Sequence, residues 1–352
     1  MAPDSRLWRH QLGEALTGFR RILPKAAVLF FLILVLLSSN AEAKAQAIGG
    51  SMSAASAQLA VHEKPAQGDT LMLASLPPTS NLFNSSPAGR WSSRIQIPIN
   101  DQPLIQKYVR FYQEQGRRTF KDSLERSRFY VPIMTEILEC HGVPPEMISV
   151  VMVESAFRRN ASHKGAGGYW QLLAPTARAM GLRVDGWVDE RRDPIKSTRA
   201  AAKYLRSFYE QFDSWTLALA AYNAGGGSVQ SALRRSRAND FWEISKRGRL
   251  PSITRQYVPK VLAAMHIMQN LEKHGFKSPG QFSNYDYESI WVQAPLKLEQ
   301  VAQWIDVPMT QLQDLNPSLR LDTLPPDSGY ALRLPSGGRD KFDIAFEDHF
   351  RK

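Results

Sequence analysis

Glu154 ends the apolar run Val150-Val151-Met152-Val153, and Ser155 follows it. A carboxylic acid on an apolar helix face has its charged form disfavoured by desolvation, so it can keep its proton near neutrality, the state a general acid needs. The competing reading is a solvated helix-end Glu paired with Arg158 four residues on.

A second group follows. Gly165, Gly167 and Gly168 permit close backbone approach or positive φ, and Tyr169, Trp170 and Gln171 supply ring faces and an amide. An aromatic wall with hydrogen-bonding groups suits a sugar, although such a stretch alone equally describes a loop over a buried aromatic. In the third group, Tyr222 and Asn223 sit at a helix end beside Gly225. There a phenol could orient Glu154 or a substrate carbonyl, or the segment could serve only to cap its helix.

Most glycosidases need two catalytic carboxylates. No second acid stands beside these three groups. Asp185, Asp189, Glu190 and Asp193 lie together in a polar stretch, and Asp193 before Pro194 reads as a helix cap. The histidines show no H-E-x-x-H and no paired Cys/His spacing, and there is no P-loop, so neither metal nor other cofactor is expected.

The elements that must position these residues read as helices. Apolar residues recur at helical spacing from Pro103 to Gly142, including Ile133, Met134, Ile137 and Leu138, with Cys140 expected among the buried ones. Pro144 and Pro145 open the helix that carries Glu154. Asp193 caps a helix with the stripe Ala201, Tyr204, Leu205, Phe208 and Phe212; Ser214 caps the alanine-rich run to Asn223, and Ser228 a short helix after the glycines. A last long helix is expected from Thr254 to His274. Residues 285–340 differ in texture, with strand patterns at SIWVQ and YALRL around helical patches, which predicts a small βααβ module with Trp291 and Trp304 in its core.

The ends and the charge set the context. Lys and Arg exceed Asp and Glu by 44 to 33, a net +11 that suits an anionic partner. Basic residues precede the apolar run Ala26 to Leu37, which is short of the roughly 20 residues that cross a bilayer and is followed by small-residue sites. This predicts an export signal over 1–43, with an uncleaved anchor as the alternative. Residues 44–95 have linker composition. A basic and aromatic stretch, Arg234 to Arg249, could suit nucleic acid, but the export signal and a simple solvated basic face argue against that.

The order E-S, G-x-W-Q and A-Y-N-x-G resembles the lytic transglycosylases of the soluble type, over about residues 101–272. The resemblance implies a mainly α, goose-type lysozyme-like catalytic domain (96–278) with a helical N-terminal extension. It implies non-hydrolytic cleavage of the β-1,4 bond between N-acetylmuramic acid and N-acetylglucosamine in peptidoglycan, giving 1,6-anhydromuramyl ends, with Glu154 as acid and then base. Hydrolysis of the same bond, or peptidoglycan binding alone, are the alternatives. By the same resemblance Ser155 shapes the helix end, Gln171 and Tyr222 contact the acetamido sugar and Glu154, and Asn223 holds the site together. Ser162, Gly168, Tyr169 and Trp170 line the substrate path. Ile253 stands where the family carries an acid in the stretch before Tyr257 and Val258. Residues 285–340 resemble a LysM module, which binds N-acetylglucosamine. A monomer in the periplasm, or held at the inner membrane if the signal is kept, is the expected state.

Overall fold

The computed structural model describes residues 102–279, 286–326 and 328–351. The expected signal and linker lie outside them.

Three helices open the described chain: α1 (Pro103–Gln113), α2 (Arg117–Ser127) and α3 (Val131–Cys140). In α3 the stripe Ile133, Met134, Ile137 and Leu138 is buried, but Cys140 is exposed. It is the last residue of α3, one turn beyond Ile137, past the end of the packed stripe. Pro145 starts a 3-10 turn, Pro145–Ile148, which runs into the short α4 (Ser149–Glu154). Val150 and Val151 of α4 are fully buried.

The chain leaves α4 abruptly. Ala156 and Phe157 are both left-handed, at φ 52° and 57°, a conformation that costs a non-glycine residue about 1–2 kcal/mol. Two contacts hold it: the Phe157 side chain is in the core, and Arg126 Nε donates to the Ala156 carbonyl at 2.9 Å. Next come three short antiparallel strands, β1 (Ser162–His163), β2 (Ala166–Gly167) and β3 (Leu172–Leu173), in the order β1-β2-β3, and then α5 (Ala174–Ala179).

The longest helix, α6 (Pro194–Phe212), begins as its sequence dictates: Asp193 Oδ1 accepts from the N–H groups of Ile195 and Lys196 at 2.9 and 2.8 Å. Ser214 caps α7 (Trp215–Ala224). Gly225, at φ 83°, ends α7 and itself stands at the cap of α8 (Gly226–Ser236), so Ser228 lies inside that helix and not at its start. After α9 (Phe241–Lys246), α10 (Ser252–Gln269) stops at Asn270 short of the expected end. A separate 3-10 turn, Glu272–His274, then finishes at Gly275. Alanines 218, 220 and 221 of α7 are fully buried, their small side chains letting α6 and α10 approach in one core.

A second, smaller core belongs to β4 (Glu288–Val292), α11 (Leu298–Ile305), α12 (Met309–Leu315) and β5 (Tyr330–Leu334), with β4 and β5 antiparallel, the βααβ order read from the sequence. A further helix, α13 (Arg339–Phe350), adds Phe342 to this core beyond position 340. Trp304 packs on Phe342, but Trp291 is 47% exposed. Strand alternation explains the difference, because Ile290 and Val292 take the inward face of β4.

The two cores share a seam. Val188, from the loop before α6, is wholly buried in the smaller core, and it bridges to Leu319. The Asp189 N–H donates to the Ser318 carbonyl at 2.7 Å, and the Arg320 N–H to the Trp187 carbonyl at 2.9 Å. Arg333 of β5 meets Asp193, the cap of α6, at 2.6 Å, with both side chains 7% exposed or less.

Candidate active site

Glu154 is the last residue of α4, half-buried at the point where the chain turns away. Burial pushes its carboxyl pKa up to about 7, against the opposing effects of a hydrogen bond from Tyr257 and the positive charge of Lys260. The Tyr257 hydroxyl donates to Glu154 Oε1 at 2.8 Å from α10. Burial first, and then the neighbouring Glu154, hold the Tyr257 phenol pKa well above its ordinary value, so it remains a donor. Tyr257 and Lys260 are one helical turn apart, so the hydroxyl of the first and the charge of the second act on the same carboxylate.

Arg158 takes no part. The helix ends at Glu154, the left-handed turn carries the chain off its axis, and Arg158 is exposed.

Around the acid the three sequence groups do converge, with roles that differ from those expected. Ser155 is buried, and its Oγ donates to the Tyr169 carbonyl at 2.7 Å, tying the helix end to the loop. Gln171, left-handed at φ 49°, spends its Nε2 donors on the carbonyls of Ala161 and Gly168 at 2.9 and 2.8 Å. Its Oε1 acceptor is what it can offer a sugar. Tyr222 does not bond Glu154: its hydroxyl donates to the Trp170 carbonyl at 2.6 Å. It nevertheless lies close enough for Glu154 to help burial raise its pKa. Asn223 Oδ1 accepts from Thr254 at 2.9 Å, linking α7 to α10.

Tyr169 and Trp170 correct the reading of an aromatic wall. Their side chains are 1% and 0% exposed, Trp170 donating to Thr198 Oγ1 at 2.9 Å. Neither ring can stack on a ligand. Gly168 is also a matter of packing. At φ 76° it lies against the 3-10 turn Glu190–Arg192, and a Cβ there would sit 1.8 Å from the Arg191 carbonyl oxygen. Arg191 in turn donates to the carbonyls of Gly165 and Leu172 at 2.9 and 3.0 Å, bracing the three-stranded sheet. Ser162 is exposed on β1, and Ile253, 70% exposed, on the first turn of α10.

The other acids are committed elsewhere. Asp189 holds Arg191 by two bonds of 2.8 Å; Glu190 accepts from Lys196 at 2.7 Å and from the Arg183 N–H at 2.6 Å; Asp193 holds Arg333; Asp185 holds Arg183 at 2.5 Å. Hydrogen bonds and positive neighbours, outweighing burial, keep Asp185, Asp189 and Asp193 below the usual carboxylate range. The site therefore offers one acid poised to exchange a proton near neutrality, a phenol bonded to it, and the charge of Lys260 acting on it.

This arrangement has relatives. Residues 134–245 match the Transglycosylase SLT domain and residues 286–348 match the LysM-like domain of lytic transglycosylase MltD. Two successive segments of the chain are thus similar to an SLT domain and to an MltD-type LysM-like domain, and are called by those names below. The chain is 29% identical over 256 residues to membrane-bound lytic murein transglycosylase D of Escherichia coli, covering 70% of this chain and 55% of that one. A second relative, membrane-bound lytic murein transglycosylase F of Cellvibrio japonicus, is 33% identical over 126 residues, 33% of this chain and 22% of that protein. The chain spans about half the length of the first and less of the second. Among solved structures, a lytic transglycosylase Slt of Pseudomonas aeruginosa aligns with a TM-score of 0.36 and 26% identity over 43% of this chain and 25% of that one.

Proposed function

We propose that the protein is a peptidoglycan lytic transglycosylase that cleaves the β-1,4 bond between N-acetylmuramic acid and N-acetylglucosamine without water. Glu154 protonates the glycosidic oxygen as the bond to the anomeric carbon breaks. The resulting carboxylate takes the proton of the muramyl C6 hydroxyl, whose oxygen closes on the anomeric carbon to give a 1,6-anhydromuramyl end. Glu154 is thereby returned to its acid form.

The observation that carries this reading is the single poised carboxyl: Glu154 has a pKa of about 7, and each acid of the 185–193 loop is engaged in an ion pair. One group must serve as acid and then base, and a pKa near neutrality suits both. Tyr257 and Lys260 favour the carboxylate that exists between the two steps. Gln171 Oε1 and the exposed Ser162 are the polar groups offered to the acetamido sugar. Trp291 presents the sugar-binding face of the LysM-like domain, its ring lying over Gly329, where a Cβ would come within 2.4 Å.

The expected signal in residues 1–43 would deliver the enzyme to the periplasm, and its retention would hold it at the inner membrane. No helix among the described residues is long and apolar enough to cross a membrane. Digestion of purified sacculi, with mass spectrometry of the released muropeptides, tests the reading. Anhydro ends are expected. Reducing ends would mean hydrolysis, and no release would mean a binding protein.

A further inference from the structure

The seam between the two domains gathers guanidinium groups. Arg191 and Arg192 come from the 3-10 turn before α6, Arg159 from the chain just after α4, and Arg320 from the connection between α12 and β5. The carboxylates among them are occupied. Asp189 is held by both arms of Arg191 at 2.8 Å, and Asp314 by Arg159 at 2.8 Å. Arg320 is left with a longer contact to Asp189 Oδ2, at 3.7 Å, and a bond to the Asp185 carbonyl at 3.2 Å. Arg192 is half-buried, and among the described residues its guanidinium makes no hydrogen bond or ion pair.

Four guanidinium groups thus share two carboxylates in a partly desolvated seam. Burial, and then repulsion from Arg320, Arg191 and Arg159 against the attraction of Asp189, push the Arg192 pKa down. Arginine does not give up its proton at ordinary pH, so the strain is relieved by an anion and not by titration. The planar fork of arginine matches a carboxylate through two parallel bonds.

We propose that Arg192 and Arg320 form a binding site for the carboxylates of the peptides that murein strands carry, a site that exists only because the LysM-like domain docks against the 185–193 loop. The inference rests on the murein reading above. A glycan backbone whose lactyl groups are joined to peptides is neutral, so the anionic groups of such a strand are the peptide carboxylates. Arg191 also braces the sheet that follows Glu154, so a strand held here is held beside the sheet of the proposed active site. The anhydro reaction makes no use of Arg192 or Arg320; their contribution is to favour strands whose peptides carry free carboxylates.

Co-sedimentation of the Glu154→Gln protein, in which no product accumulates, decides the matter with two solids: intact sacculi, and the same sacculi with their peptide carboxylates converted to neutral methylamides. Arg192→Ala and Arg320→Ala are each expected to weaken binding to sacculi about tenfold, the value of one charge-assisted contact, while binding to the amidated sacculi changes less than about twofold. The preference should shrink as salt rises, and the exposed Arg158→Ala should alter neither. Equal binding of the unmutated-seam protein to both solids would overturn the proposal. So would a parallel loss on both in the variants, which would mean a packing role. A loss seen only on vesicles containing phosphatidylglycerol would assign the site to lipid phosphate and overturn it too. Failure of the lytic reading shows separately, as absence of anhydro ends when the chain with Glu154 intact digests sacculi.

Discussion

At the scale of residues, Glu154 raises the free energy of its own ionised form. Its folded pKa, about 7, lies above that of an unfolded glutamate near 4.5. Between those two values the folded state binds more protons than the unfolded one, so stability falls as pH rises through that window. Glu154→Gln should therefore abolish product release, leave sacculus binding in place, and raise the unfolding temperature more at pH 8 than at pH 5. The Tyr257 bond lowers the Glu154 pKa, so Tyr257→Phe should move the alkaline limb of the pH–rate profile upward and slow turnover by about tenfold. A Tyr257→Phe profile superimposable on that of the unmutated enzyme would remove Tyr257 from the mechanism. Arg158→Ala should change turnover little. The acid was legible because an apolar run ending in Glu has few meanings. Its phenolic partner was not, since it arrives from 103 residues away. The periodicity that marks Val258 as a core position says nothing of what Tyr257 touches.

At the scale of elements, the site depends on a short helix, a strained exit and a braced sheet. Ala156→Gly should relieve the left-handed strain and raise stability by up to about 1 kcal/mol; denaturant midpoints measure it. Arg191 acts through the sheet, and Arg191→Met would leave Asp189 without its two-pronged partner and the Gly165 and Leu172 carbonyls without their donor. Turnover is expected to fall with helical circular dichroism kept, and full activity in that variant would show that the brace is dispensable. Helix starts were legible here, as at Asp193 and Ser214, because capping is local chemistry. The run GAGGYWQ was misread for a physical reason. Glycine followed by aromatics describes a ring facing a ligand and a ring facing the core equally well, and only tertiary packing put Arg191 against Gly168 and Trp170 on Thr198.

At the scale of the whole molecule, the LysM-like domain is joined to the SLT domain by a buried ion pair and not by a tether alone. Breaking one side of such a pair costs about 3–5 kcal/mol, while replacing both sides can be nearly neutral. Arg333→Met should thus destabilise the protein strongly. Adding Asp193→Asn, which keeps a capping side chain, should restore most of the loss. Thermal unfolding of the two variants checks this, and equal destabilisation of both would mean that the pair is not the source. The positive neighbour and the amide bonds, outweighing burial, hold the Asp193 pKa low, so this stability is present above the unfolded aspartate's pKa and is lost as pH falls through the depressed one. The βααβ pattern was legible from strand alternation. The seam was not, because Asp193 as a cap is already a complete explanation of that residue in the sequence.

That double use of Asp193 also bears on the order of folding. The cap of the longest helix carries a charge whose ion-pair partner, Arg333, comes from β5, the last strand of the smaller core. The SLT domain therefore cannot reach its final state until the last strand has emerged and paired, and its helices must wait in a looser form meanwhile. Refolding of the whole chain, followed through the burial of Trp170, should show no native signal that precedes closure of β4 on β5.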